Sequence, residues 1–93
     1  MGLFADHYRL DYRGNVIEVE ARLAGICNAQ YDLVVNNKEC DQLDGTCGTF
    51  FLRGEVPGQN GAPESIKVEV SQGIFGTRYF LCAGNKRIPM QKA

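Results

Sequence analysis

Apolar and polar residues alternate with a period of two along most of this chain, the pattern of β-strands that bury one face. In residues 7–12 the apolar side carries Tyr8, Leu10 and Tyr12. In residues 16–23 it carries Ile17, Val19, Ala21 and Leu23, with Glu18, Glu20 and Arg22 opposite. Gly14-Asn15 between these segments predicts a two-residue hairpin turn of type II′ or I′, because such turns need residues that tolerate positive φ. Residues 30–35 resume the alternation with Tyr31, Leu33 and Val35, and Asn36-Asn37 ends it. Residues 49–56, 65–71 and 77–83 predict three further strands, the last followed by a turn at Gly84-Asn85. Residues 38–48 show no apolar period and read as a polar loop, while 57–63 read as a linker interrupted by Pro57 and Pro63. A short edge strand is expected at 87–90, where Pro89 stops its extension. No ten-residue window fits helical spacing better than it fits alternation. The expectation is one all-β domain over 1–93, an antiparallel β-sandwich or partly open barrel of six to seven short strands.

Two hairpin units, 15–38 and 64–87, resemble each other. The first reads Ile17-Glu18-Val19-Glu20-Ala21, a loop with Gly25, then Tyr31-Asp32-Leu33-Val34-Val35-Asn36-Asn37-Lys38. The second reads Ile66-Lys67-Val68-Glu69-Val70, a loop with Gly73 and Gly76, then Tyr79-Phe80-Leu81-Cys82-Ala83-Gly84-Asn85-Lys86. Hairpins converge on such patterns for chemical reasons alone, since turns need Asn and Gly and strand faces need Val and Ile. An internal repeat would instead set two similar hairpins face to face and favour a sandwich over a closed barrel. The second unit, continued through Arg87-Ile88-Pro89, also resembles a hairpin of the Fas apoptotic inhibitory molecule family. The resemblance covers about a quarter of the chain, which lacks tryptophan and has the size of one domain of that two-domain family. It implies an intracellular, non-enzymatic, protein-binding sandwich.

Composition narrows the partners. Eleven acidic and ten basic residues leave a formal charge of -1, which gives no electrostatic footprint for a phosphate backbone, so nucleic acid is not expected. No stretch reaches the ~20 apolar residues that span a bilayer, so membrane insertion is not expected either. The cytoplasm is the expected compartment, with an extracellular or lumenal one in its place if the cysteines are paired. Cys27, Cys40, Cys47 and Cys82 suit the cytoplasm if reduced and an extracellular or lumenal setting if paired, and Cys40 with Cys47 is the strongest single pairing because a short loop separates them.

Catalytic groups are sparse. The only histidine, His7, lies on a strand, where a solvated surface position outweighs service as the base of a cysteine nucleophile. Structural zinc sites pair ligands two to four residues apart, whereas the nearest thiols, Cys40 and Cys47, have six residues between them. Asp41-Gln42-Leu43-Asp44-Gly45 matches only part of a calcium loop and reads as a solvated turn. No enzyme activity, metal or cofactor is therefore expected.

Apolar residues out of phase with the core are the positive signal. Val34, Phe80 and Cys82 fall opposite the buried set, and the run Phe50-Phe51-Leu52 forces at least one ring outward. In a two-sheet protein such residues also close the ends of the core. As a surface, they mark a place where aromatic side chains meet a partner. Ile74-Phe75, between Gly73 and Gly76, adds a ring at a loop tip. The expectation is a non-catalytic domain that binds another protein through a sheet face, an edge strand or the Ile74-Phe75 loop, with Val34, Phe51, Ile74, Phe75 and Phe80 as contact residues. Edge pairing would also permit a homodimer. The alternatives are a disulfide-stapled extracellular or lumenal module and, further off, a small thiol- or zinc-dependent enzyme.

Overall fold

A computed structural model describes residues 4–23, 28–45, 47–58, 60–73 and 76–93. These form nine strands: β1 (Phe4–Tyr12), β2 (Asn15–Leu23), β3 (Ala29–Val35), β4 (Lys38–Gly45), β5 (Gly48–Pro57), β6 (Pro63–Gly73), β7 (Gly76–Ala83), β8 (Lys86–Pro89) and β9 (Gln91–Lys92). Every pairing is antiparallel. Sheet A has the order β4-β3-β2-β1-β9 and sheet B the order β5-β6-β7-β8. The protein is an all-β, two-sheet structure with the form of a β-sandwich.

The alternation explains the layering. Ile17, Val19 and Ala21 of β2 and Tyr31, Leu33 and Val35 of β3 face Ile66, Val68 and Val70 of β6 and Tyr79, Leu81 and Ala83 of β7, and all belong to one buried core. The two hairpins with similar sequences are thus the central pairs of their sheets. Tyr31 stands opposite Ala21 and Leu33 opposite Val19 in sheet A, while Tyr79 stands opposite Val70 and Leu81 opposite Val68 in sheet B.

The tight turns follow from local chemistry. Tyr12 pairs with Asn15, so the first turn is Arg13-Gly14, one residue earlier than the Gly14-Asn15 expected from sequence. Its φ angles of 49° and 79° are both positive, as a type I′ turn requires. Asn15 starts β2 instead, and its Oδ1 accepts a hydrogen bond from Nδ2 of Asn36 (3.0 Å), tying the first turn to the second. Asn36-Asn37 is again a pair of positive φ angles, 51° and 67°, which asparagine adopts at low cost.

Residues 38–48 were expected to be a loop, yet Lys38–Gly45 is strand β4. An edge strand is held by backbone pairing to its single neighbour, so it needs no apolar period, and β4 pairs along its length with β3. Asp41, expected in a solvated turn, joins the two sheets on this side. Its Oδ2 accepts from the backbone N–H of Arg53 in β5 and its Oδ1 from that of Gln42, both at 2.9 Å. Pro57 and Pro63 pair with each other at the ends of β5 and β6, which shortens the expected linker.

The opposite side is closed by the tail. After β8, Met90 is buried and donates its N–H to the Tyr79 carbonyl (2.9 Å), and the chain then crosses to sheet A, where Gln91 and Lys92 pair with Arg9 and Tyr8. The strand count therefore exceeds the six to seven expected, because β4 is polar and β9 only two residues long.

Candidate interaction surface

Within Phe50-Phe51-Leu52, period two decides which ring leaves the core. Leu52 is fully buried opposite Val68, and Phe50 leans on the core from inside, against Gly45, where an added Cβ would come within 2.8 Å of its ring. Phe51 points the other way and is 45% exposed, the one large apolar side chain so exposed among the described residues.

Sheet register brings Phe51 into a row with residues from three other strands: Phe51 (β5), Glu69 (β6), Phe80 (β7) and Pro89 (β8). The next row is Arg53, Lys67, Cys82 and Arg87. The rows interlock. Arg87 donates to both carboxylate oxygens of Glu69, Nη2 to Oε2 at 2.8 Å and Nε to Oε1 at 3.3 Å, and its Cζ lies 3.8 Å from the Phe80 ring centroid. The hydrogen bonds to Glu69 raise the Arg87 pKa above its ordinary value. A bidentate pair stacked on a ring fixes the guanidinium in one orientation. Lys67 places its Nζ 5.3 Å from the centroid of Phe51. Beside these rows lies a depression of about 670 Å³ lined by Arg53, Glu55, Ser65, Lys67, Cys82 and Gly84. Four cations on this face, Arg53, Lys67, Arg78 and Arg87, outnumber the two carboxylates Glu55 and Glu69.

Of the other sequence candidates, Val34 lies half-buried on the outer face of sheet A, opposite Glu18 and Glu39, far from Phe51 and Phe80. Ile74 and Phe75 lie outside the described residues, as does Cys27. The Cys40–Cys47 bridge does not form. Cys40 is a free thiol at the start of β4, while Cys47 follows its far end. From Cys40 the strand runs on through Gly45, a span of roughly 17 Å, against a limit of about 7 Å between bridged Cα atoms. Cys47 is disulfide-bonded, and Cys82 is a second free thiol. Alkylation of the unfolded, unreduced protein should therefore modify Cys40 and Cys82 and reach Cys47 only after reductant is added. Modification of Cys47 in the first step, read by peptide mapping, would overturn this assignment.

His7 hydrogen-bonds Glu18 on the outer face of sheet A, so it is beside neither free thiol: Cys82 is on the opposite face of the sandwich, and β2 and β3 separate β1 from Cys40 on β4. Among the described residues no three His, Cys, Asp or Glu side chains are grouped to hold a metal ion.

Sequence reasoning found Phe51 and Phe80 but not their surroundings. Alternation places Lys67 and Glu69 outward; that Glu69 meets Arg87, 18 residues away, follows only from the β6-β7-β8 register. Comparison with protein-family models, curated proteins and solved structures gives no match.

Proposed function

We propose that the domain is a non-catalytic protein-interaction module whose docking surface is the outer face of sheet B. The observation that carries this reading is the row Phe51–Glu69–Phe80, in which one ring is exposed and the other is held flat beneath a guanidinium fixed by its own carboxylate. Exposed aromatic area bordered by oriented arginine is what interface cores use, because rings bury much surface with few rotamers to freeze. The excess of cations on this face fits a partner surface that is apolar and acidic. The resemblance to the Fas apoptotic inhibitory molecule family implies the same class of function.

A photo-crosslinking side chain at position 51 should form adducts with a protein from the native source, and one at Asn60, exposed in the turn between β5 and β6 and on neither broad face, should not capture that protein. Phe51→Asp should abolish capture while lowering the unfolding free energy by no more than about 2 kcal/mol, the cost of losing a half-exposed strand ring and setting a carboxylate opposite Glu69, well below that of a core phenylalanine. A large stability loss would show that Phe51 belongs to the core, and the docking reading would fail.

A second reading, the disulfide-stapled extracellular or lumenal module, is favoured by the disulfide at Cys47. Such bonds persist in oxidising compartments, and the two readings are compatible in a secreted or lumenal binding domain.

A further inference from the structure

The outer face of sheet A is short of cations. Its register lines up His7, Glu20, Asp32 and Gln42 in one row and Arg9, Glu18, Val34 and Glu39 in the next. Glu20 and Asp32 stand directly opposite each other, an arrangement of like charges that opposes pairing. Asp32 is only 8% exposed, and its Oδ1 is buried without a hydrogen-bond partner. Of the cations on this face, His7 pairs with Glu18 and Arg9 with Asp11 (3.4 Å), and exposed Arg22, beside Gln30 in the next row, is in no ion pair; none reaches Glu20, Asp32 or Glu39 among the described residues, where acids outnumber bases. A desolvated carboxylate without a donor is unfavourable, and a cation brought in from outside would offset that cost.

The same chain carries such cations on its other face. In sheet B, Lys67, in no ion pair among the described residues, and Arg87, already held by Glu69, lie two strands apart on either side of Cys82, just as Glu18, already held by His7, and Glu39 lie two strands apart on either side of Val34. Both spacings are roughly 10 Å between backbones. The molecule measures 43 × 26 × 19 Å, so each broad face can supply the roughly 800 Å² per partner that a standard interface buries.

We propose that the outer face of sheet A receives the outer face of sheet B from a second copy of this chain, with the row Arg53–Lys67–Arg87 laid across Glu18, Glu20, Asp32 and Glu39 and the Phe51 ring covered. This rests on the reading of sheet B as a docking face and names its partner. Because two different faces meet, each copy keeps one free face of each kind in turn, and the contact propagates into open chains instead of closing as a twofold dimer. Opposite surface charges make the association sensitive to salt.

Sedimentation velocity of the intact protein, from micromolar to millimolar concentration, tests it. At low ionic strength the mean mass should rise past that of a dimer, and high salt should return it to monomer. Glu20→Lys on sheet A and Phe51→Asp on sheet B should each raise the concentration needed for association by about tenfold or more. Mixed in equal amounts, the two variants should form heterodimers and nothing larger, since each contributes one intact face. A wild type that stays monomeric at low salt throughout, or growth that ignores both salt and variants, overturns the proposal. If the monomeric wild type shows amide shifts at Glu20 and Asp32 with a polyarginine peptide, sheet A takes a basic segment of another protein and self-association is again overturned. Adducts of position 51 with a different protein would then leave the sheet B docking reading standing, whereas no adduct of any kind there would remove that reading too.

Discussion

Leu81→Ala should lower the unfolding free energy by about 2–5 kcal/mol, the range for deleting a buried leucine when the surroundings cannot collapse fully into the space. Leu81 is fully buried at the middle of β7, opposite Val68 and Ile88 on its two neighbouring strands. For a chain of 93 residues the whole stability is about 5–14 kcal/mol at the usual value per residue, so this one change removes a large share of it. Leu33→Ala, at the matching position of β3 in the other sheet and equally buried, should cost a similar amount. Urea denaturation should show a lower midpoint with an unchanged slope for both variants. A loss below about 1 kcal/mol at either site would mean that the core is looser than the layering of these two sheets requires.

Tyr31→Phe should cost about 1–3 kcal/mol, and Tyr79→Phe almost nothing. Both rings are buried at the same end of the core, packed edge to face with centroids 6.2 Å apart, but their hydroxyls differ. Tyr31 donates to Oε1 of Gln72 across the sandwich, so its loss would leave a buried amide oxygen without a donor. The Tyr79 hydroxyl is buried with no hydrogen-bond partner, and removing it discards a desolvated group that gains little from the fold. Equal costs for the two changes would contradict this arrangement.

The same phenols set the alkaline limit. Burial is the main cause that raises the pKa of both Tyr31 and Tyr79 above the ordinary 10.0, with the Asp6 carboxylate acting in the same direction. In the unfolded chain each ionises near 10, so above that pH the unfolded state binds fewer protons than the folded one and stability falls. This contribution is complete below pH 10 and is lost progressively above it. Each buried phenol contributes a slope of up to about 1.4 kcal/mol per pH unit, and Tyr31→Phe and Tyr79→Phe should each flatten the alkaline fall by up to that amount. Denaturation midpoints measured above pH 10 would reveal the difference, and an alkaline profile unchanged in both variants would contradict it.

The candidate surface was legible in part. Phe51 and Phe80 stand out because they break the phase of their strands, and phase is local: each residue turns its side chain opposite to the one before it. Their meeting in one row with Glu69 depends on three strands choosing one register, which no segment contains by itself. Val34 broke phase in the same way and yet belongs to the other sheet, because phase tells inner from outer face and does not tell which sheet. The cysteines show the same limit more sharply. Six residues between Cys40 and Cys47 bring them together if the chain turns and hold them far apart if it extends, and the polar composition of β4 hid that it extends.

The sequence by itself determined that this protein is all-β, which side chains of β2, β3, β6 and β7 face its core, and where Asn36-Asn37 and Gly84-Asn85 reverse the chain, because alternation and turn chemistry act over a few neighbouring residues. The tertiary structure alone decided the two-sheet partition, the strand identity of 38–45, the crossing at Met90, and the placing of a basic aromatic face and an acidic face on opposite sides. Those features come from backbone pairing and charge proximity between segments far apart in the chain, and such pairing is indifferent to the apolar pattern on which sequence reading depends.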